Sequence, residues 1–247
     1  MPLTLHHGII QDKTIAGVPF EATIIIGQGN KANVRTAIPI QGPHSVTLHN
    51  TGNPNPTADA RAHANWLASQ EAQDQSFVGA HFFVDSRRIV QTLPLTEVAW
   101  HAGDGENGPG NRTSLAIEIC ETPPYDKAEA HAIVLAAALM AHYPNLALKK
   151  HQDWSGKYCP RKILDRGAWP QVSAAVFAER YRQSTTTTPQ ASPQDKQPAL
   201  WAESATTWAQ SQGLFKGDPD GNFRWHEPVT RQELAVILQR LEGACPC

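Results

Sequence analysis

One stretch of the chain carries more chemistry than the rest: Lys150-His151-Gln152-Asp153-Trp154-Ser155-Gly156-Lys157-Tyr158-Cys159-Pro160. A histidine and a cysteine stand eight positions apart in a polar loop that contains a glycine, and a lysine lies two residues before the cysteine. An imidazole, a potential thiolate and a mobile cation are groups that a metal site for hydrolysis can use. A catalytic metal needs a further ligand, which another part of the chain must supply.

The third candidate ligand is His49, which closes a strand-like segment and precedes the turn Asn50-Thr51-Gly52. A histidine at a strand end is often purely structural, but such positions also face clefts. Together with His151 and Cys159 it gives two imidazoles and a thiolate, and a fourth position stays free for water. That arrangement is typical of catalytic rather than structural zinc. The sequence therefore predicts one Zn²⁺ per chain at these three residues.

Two charged residues are catalytic candidates beside this centre. Glu118 interrupts an apolar strand on the face opposite Ile117 and Ile119. A carboxylate there is costly unless it is paired or functional, and near a metal it could act as general base. A solvent-facing or salt-bridged glutamate is the alternative. Lys157 could hold the oxyanion of a tetrahedral intermediate, although a loop lysine is often simply solvated.

A Gly-rich loop begins at Trp100 and His101 and continues to Arg112, and it is suited to forming a cleft wall. We predict Trp100 and His101 as substrate-binding candidates on this basis. His81, which precedes an apolar strand, is a weaker candidate, and we interpret it as a core or supporting histidine rather than a metal ligand.

Apolar patterning predicts strands that alternate with helices. The predicted strands are 22–26, 45–49, 80–84, 88–91 and 114–120, and the predicted helices are 59–74, 126–142 and 169–181. Strands interleaved with helices indicate an α/β domain with a mixed sheet flanked by helices. A Ser/Thr/Gln/Pro-rich stretch indicates a flexible linker. We therefore predict a catalytic domain at 1–182, a linker at 183–198 and a small all-α helix-loop-helix module at 199–247.

Two helices are predicted in the small module. Trp201, Ala205 and Trp208 form an apolar stripe that ends at Gly213, and a capping box at 230–233 opens the second helix. The joining loop at 217–223 does not fit a calcium loop, because its glycine and closing carboxylate are misplaced. Cys245 and Cys247 could form a redox or metal pair, but a frayed terminus is the simpler interpretation.

Composition limits the partners. The 21 Lys+Arg and 23 Asp+Glu residues nearly balance, which argues against nucleic acid as a partner. No apolar run reaches the roughly 18 residues of a membrane span. The first residues lack the basic stretch and apolar core of a signal peptide. We therefore expect synthesis in the cytoplasm and action after release.

The segments at 48–51, 100–105, 114–120 and 150–160 together resemble the zinc N-acetylmuramoyl-L-alanine amidases, which include phage and prophage endolysins, bacterial autolysins and peptidoglycan recognition proteins. The resemblance implies the phage-lysozyme-type amidase fold, zinc held by His49, His151 and Cys159, and peptidoglycan as substrate. It also implies that Lys157 stabilises the transition state and that Glu118 is the base. Some relatives carry a catalytic tyrosine where this chain has Ala80, which places more weight on Glu118.

The pattern after the linker looks like a single S-layer homology repeat, a module that anchors proteins to secondary cell-wall polymers of Gram-positive bacteria. By that resemblance, Arg231 meets the anionic polymer through charge-assisted pairing. A stabilising helical appendage is the alternative. The whole pattern predicts a bacteriolytic, modular endolysin or autolysin. A peptidoglycan-binding protein without activity and a muropeptide-recycling amidase stay open as alternatives.

Overall fold

A computed structural model of the chain describes residues 3–27, 34–40, 42–73, 78–185, 198, 202–217, 221, 223, 225, 229 and 231–244. Contacts between Cα atoms divide the chain into two compact units, residues 1–187 and 188–247. The linker predicted at 183–198 falls mostly outside the described residues. The predicted domain boundaries therefore stay a prediction.

Among the described residues, the strands all lie in the first unit. They are β1 (Leu5–His6), β2 (Ile9–Ile10), β3 (Thr14–Ile15), β4 (Val18–Ala22), β5 (Ser45–Asn50), β6 (Phe82–Val84), β7 (Ile89–Gln91), β8 (Ser114–Ile119) and β9 (Ala147–Lys150). Among the described residues, seven of them form one sheet in the order β3-β4-β7-β6-β8-β5-β9, while β1 pairs with β2. The sheet is mixed, since β3/β4 and β6/β7 are antiparallel and the other pairs are parallel.

Helices cover both faces of this sheet. They are α1 (Ala60–Gln73), α2 (Pro109–Thr113), α3 (Tyr125–His142), α4 (Gln152–Ser155), α5 (Arg161–Leu164) and α6 (Trp169–Thr185). The second unit contributes α7 (Glu203–Ser211) and α8 (Arg231–Ala244). The predicted mixed sheet flanked by helices is confirmed.

Successive side chains of strand β8 point alternately into two apolar cores, one on each face of the sheet. Leu115, Ile117 and Ile119 pack in the core built with α3 and α6, while Ala116 and Cys120 pack in the core built with α1. Successive side chains of a strand point to opposite faces, so Glu118 shares the α1 face with Ala116. The predicted orientation of Glu118, opposite Ile117 and Ile119, follows from this alternation.

Local signals account for the limits of the two central helices. Asp59 caps α1, because its Oδ1 accepts a hydrogen bond from the backbone N–H of Ala62 at 2.9 Å. Helix α3 ends at His142, two residues before Pro144, which cannot continue a helix. Its last turn closes with a hydrogen bond from the N–H of Tyr143 to the carbonyl of Leu139.

The strand predicted at 22–26 is wrong in its bounds. The observed strand is β4, which begins at Val18 directly after a tight turn at Ala16 and Gly17, both with positive φ. The isoleucine run that suggested the later strand is not buried as a unit. Ile25 is 2% exposed whereas Ile26 is 78% exposed, so only alternate residues of the run reach the core.

Trp201, the first residue of the apolar stripe predicted in the second unit, lies outside the described residues, and the other two depart from the prediction. Ala205 and Trp208 are exposed, and the buried residue of α7 is Ala209. Gly213 does terminate the helix with a φ of 65°. The predicted capping residue at 230, Cys245 and Cys247 lie outside the described residues, as does most of the 217–223 loop. Across the described residues, no helix combines the length and the apolar character that crossing a bilayer requires.

Candidate metal centre

Parallel strand pairing brings the distant ligand candidates together. Strand β5 lies between β8 and β9, with His49 opposite Glu118 and Leu48 opposite Lys150. His151 follows β9 directly, so it emerges beside the end of β5. The chain then makes the single turn of α4 and reverses at Gly156, whose φ is 77°, before it reaches Cys159. The three predicted ligands meet at this end of the sheet.

The three side chains are close enough to share one ion. The Nδ1 atoms of His49 and His151 are 2.9 Å apart, and the Sγ atom of Cys159 is 4.0 Å from Nδ1 of His49. One ligand atom from each residue lies within 4.8 Å of the others. Tetrahedral zinc with ordinary bond lengths separates two nitrogens by about 3.3 Å and a nitrogen from a sulfur by about 3.6 Å. The observed separation of the two nitrogens, 2.9 Å, is shorter than this value, and the separation of the nitrogen from the sulfur, 4.0 Å, is longer.

The electrostatics of the site also suit a cation. Burial lowers the pKa of His49 well below its usual value, and it lowers the pKa of His151 to about 4. Both imidazoles are therefore neutral and can offer lone pairs. Burial raises the pKa of the Cys159 thiol to about 11, and a hydrogen bond from the N–H of Asn50 partly opposes this shift. A bound cation favours the thiolate, so the donor set fits zinc.

Glu118 stands beside the predicted ligands with an unused oxygen. Its Oε1 is 3.8 Å from Nδ1 of His49, while its Oε2 is buried with no hydrogen-bond partner among the described residues. Burial raises the pKa of Glu118 to about 7, although the positive charge of Lys157 lowers it. A carboxylate with a pKa near neutrality is suited to general base catalysis.

Two cavities meet at the centre. One has a volume of about 830 Å³ and the other about 490 Å³. The residues that line both are Val78, Trp100, His101, His151 and Lys157. Glu118, His49 and Cys159 line only the smaller cavity, and the exposed side chain of Lys157 stands at the junction. A substrate that extends through both cavities passes the predicted metal site.

The weaker candidates occupy different places. Trp100 lines both cavities, with the guanidinium of Arg112 5.9 Å from its ring centre. His81 is fully buried and lines neither cavity. Its Nδ1 accepts from the N–H of Ala116 at 3.0 Å, and its Nε2 donates to the carbonyl of Glu97 at 2.9 Å. His81 is therefore a core histidine whose two ring nitrogens both bind backbone groups. The side chain of Arg231 lies outside the described part of the structure.

Asn50, the last residue of β5, joins three parts of the site. Its side-chain amide donates to the hydroxyl of Tyr125 at 3.0 Å, and its Oδ1 accepts from the N–H of Lys162 at 2.9 Å. Its own N–H lies 3.4 Å from Sγ of Cys159. Its position directly after His49 at a strand end was the available sequence signal.

Comparison with known proteins places two matches along the chain. Residues 40–162 match the family model described as N-acetylmuramoyl-L-alanine amidase, and residues 195–235 match the S-layer homology domain. The amidase CwlA of Bacillus subtilis (strain 168) is 38% identical over 205 residues, which are 81% of this chain and 70% of CwlA. The chain belongs to the N-acetylmuramoyl-L-alanine amidase family.

Further relatives match only part of this chain. The amidase XlyB of the same organism is 46% identical over 140 residues, which are 54% of this chain and 42% of XlyB. The solved catalytic domain of XlyA is 40% identical with a TM-score of 0.57, and a mutant endolysin from Bacillus subtilis is 41% identical with a TM-score of 0.56. Each of these structural matches covers 64% of this chain and 99% of the solved chain. The chain thus spans less than half the length of XlyB.

Proposed function

We propose that this chain is a peptidoglycan hydrolase that cleaves the amide bond between N-acetylmuramic acid and L-alanine, and that it acts as an endolysin at the bacterial cell wall after release. One observation carries the proposal. The neutral imidazoles of His49 and His151 and the Cys159 thiol converge where two cavities meet, with a carboxylate of raised pKa beside them. Family membership supports the choice of substrate.

The residues of the site divide the reaction between them. His49, His151 and Cys159 would hold zinc, which supplies a Lewis acid that polarises an amide carbonyl and activates water. Glu118 accepts the proton of the attacking water on its carboxylate and then returns it to the leaving amine of L-alanine. Lys157, at the cavity junction, donates to the oxygen that becomes negative in the tetrahedral intermediate.

Digestion of purified cell walls tests this proposal. We expect the wild type to carry about one zinc per chain, as a three-ligand site with one open position should, and to release new L-alanine amino groups detected by mass spectrometry. Cys159→Ala should lack both zinc and activity. Cys120→Ala is the matched control, because Cys120 is a buried cysteine in the core beneath α1. New reducing sugar ends without free L-alanine would contradict the proposal.

The same variants separate the enzyme from a binding protein without activity. A binding protein would retain wall affinity in both cysteine variants and release nothing in either. The presence of Cys159 in the converging set favours the enzyme.

We further propose that the second unit binds a secondary cell-wall polymer, which supports an enzyme of intact walls rather than of recycled muropeptides. The match at 195–235 supports this role. Arg231→Ala in the full chain should weaken cosedimentation with walls, whereas Lys216→Ala, an exposed cation of the same unit, should not. Removal of residues 184–247 should lower lysis of intact walls. Undiminished lysis would favour recycling instead.

A further inference from the structure

A chain of hydrogen bonds connects the backbone of β8 to the predicted metal centre through His101. Nε2 of His101 is 3.3 Å from the carbonyl oxygen of Ser114, an atom that can only accept. Nε2 therefore carries the proton. Nδ1 of the same ring is 3.0 Å from Nε2 of His49. In a neutral imidazole this Nδ1 has a lone pair, so it accepts a hydrogen bond from Nε2–H of His49.

This chain of hydrogen bonds leaves one nitrogen of His49 without a proton. Since its Nε2 is the donor to His101, its Nδ1 is the bare acceptor. That atom is the one that lies 2.9 Å from Nδ1 of His151 and 4.0 Å from Sγ of Cys159. The hydrogen bonds thus set the tautomer of His49 in which the lone pair of Nδ1 faces the other two predicted zinc ligands, His151 and Cys159.

The surrounding loop holds His101 in place. Oδ1 of Asn111 accepts from the backbone N–H groups of His101 and Ala102, both at 2.8 Å. Asp104 in turn accepts from the N–H groups of Gly110 at 2.6 Å and Asn111 at 3.2 Å. The rings of His101 and His49 meet edge to face, with an interplanar angle of 82°. His101 is 9% exposed, so little of its ring is available to a substrate.

We propose that His101, whose small exposed part lines both cavities, is a positioning residue for the metal centre: it fixes the tautomer and the orientation of His49. This inference rests on the proposed zinc site and goes beyond the prediction that His101 contacts substrate. A partner that orients a metal-bound histidine is worth about 10- to 100-fold in metal affinity.

Substitution of His101 by asparagine or by glutamine tests its two hydrogen bonds, to His49 and to Ser114, one at a time. In His101→Asn, the amide oxygen occupies the place of Nδ1 and can still accept from His49. In His101→Gln, the amide reaches the place of Nε2 and can contact Ser114, but the acceptor for His49 is lost. Zinc affinity is measured on the full chain by competition with a chromophoric chelator. His63→Gln, whose ring stacks on Phe83 in the smaller cavity, is the matched control.

We expect the Gln variant to bind zinc about 10- to 100-fold more weakly and the Asn variant to stay within a few-fold of wild type. Nitrogen-15 NMR of the metal-free wild type should show His49 protonated at Nε2. Protonation at Nδ1 would overturn the inference. So would an unchanged zinc affinity in the Gln variant together with a raised KM.

The outcomes distinguish this inference from the proposed function. A wild type that binds no zinc refutes the metal centre itself, while the His49 tautomer still tests the hydrogen-bond chain. If circular dichroism shows that a variant has not folded, the NMR measurement on the wild type decides alone.

Discussion

The Nδ1 atoms of His49 and His151 lie 2.9 Å apart, although 102 positions of sequence separate the two residues. The contact follows from the parallel pairing of β5 with β9, in which Leu48 stands opposite Lys150. Each histidine follows its paired residue by one position, so the pairing itself sets their separation. The candidate metal centre is thus assembled by the sheet, which is a rigid element.

Replacement of Lys157 by alanine should lower kcat by about 10²- to 10³-fold, the usual loss for one group that stabilises an oxyanion. Zinc content should stay at the wild-type value, because Lys157 is not among the three converging donors. Turnover of a soluble muropeptide is the measurement. Lys127→Ala on the exposed face of α3 is the control, and equal loss in the two variants would argue against a role for Lys157.

Glu118→Gln should lower kcat by about 10²- to 10⁴-fold, because the amide cannot accept the proton of water. The substitution preserves the size of the side chain, so zinc affinity and the free energy of unfolding should change little. Glu129→Gln, which breaks a surface pair with Arg166, provides the comparison. Near-normal turnover in the Glu118→Gln variant would remove Glu118 from the mechanism.

Gly110→Ala should lower the free energy of unfolding by about 1–3 kcal/mol through overpacking. A Cβ at this position would lie 2.6 Å from the Cβ of Ala102 and 2.7 Å from the ring of Trp154. That ring cannot withdraw freely, since its Nε1 donates to Oγ1 of Thr47 at 2.9 Å. Urea denaturation measures the loss. At Gly27 an added Cβ meets only ordinary contacts, so Gly27→Ala should be nearly neutral.

His81 should make the first unit less stable in acid. Burial lowers the pKa of His81 from 6.5 to about 4, so the unfolded chain takes up a proton in this range before the folded chain does. The stability that His81 contributes is therefore present above pH 6.5 and is lost as the pH falls toward 4. One such proton changes the unfolding free energy by up to about 1.4 kcal/mol per pH unit.

Urea denaturation of His81→Asn across this pH range checks the sign. The asparagine oxygen can still accept from the N–H of Ala116 but does not titrate. We expect a lower free energy of unfolding at neutral pH and a flatter dependence on pH. His44→Asn, at an exposed position, should keep the wild-type slope. A His81 variant with the full slope would assign the acid sensitivity to other groups.

The features that the sequence predicts well are those with a local signal. The apolar pattern of α3, with Pro144 beyond it, fixes that helix nearly to the residue. The residue types at 49, 151 and 159 predict ligand chemistry, and the structure brings the three side chains together, while their role as zinc ligands stays a prediction. The predicted bounds of β4 are wrong because a run of three isoleucines does not show which of them reaches the core. The sequence does not predict strand β9, because Lys149 and Lys150 are typical of a solvated loop.

The role of His101 could not be read from the sequence for a different reason. Its partners, Ser114 and His49, are 13 and 52 positions away and reach it only once β5 and β8 have paired. A histidine at the start of a Gly-rich loop gives the same pattern whether it faces substrate or supports a ligand. The hydrogen-bond direction, which depends on the carbonyl of Ser114, separates the two roles.

The register between β5 and β8 has a practical consequence. Because strand side chains alternate, a slip of one residue would turn His49 into the α3 core and away from Cys159. A mispaired sheet could still give the spectrum of an α/β protein, yet it would lack the three-donor cluster. Titrating a refolded preparation with zinc would therefore count the molecules whose strands have aligned correctly, and it would give a quality test for this chain that spectroscopy of secondary structure cannot provide.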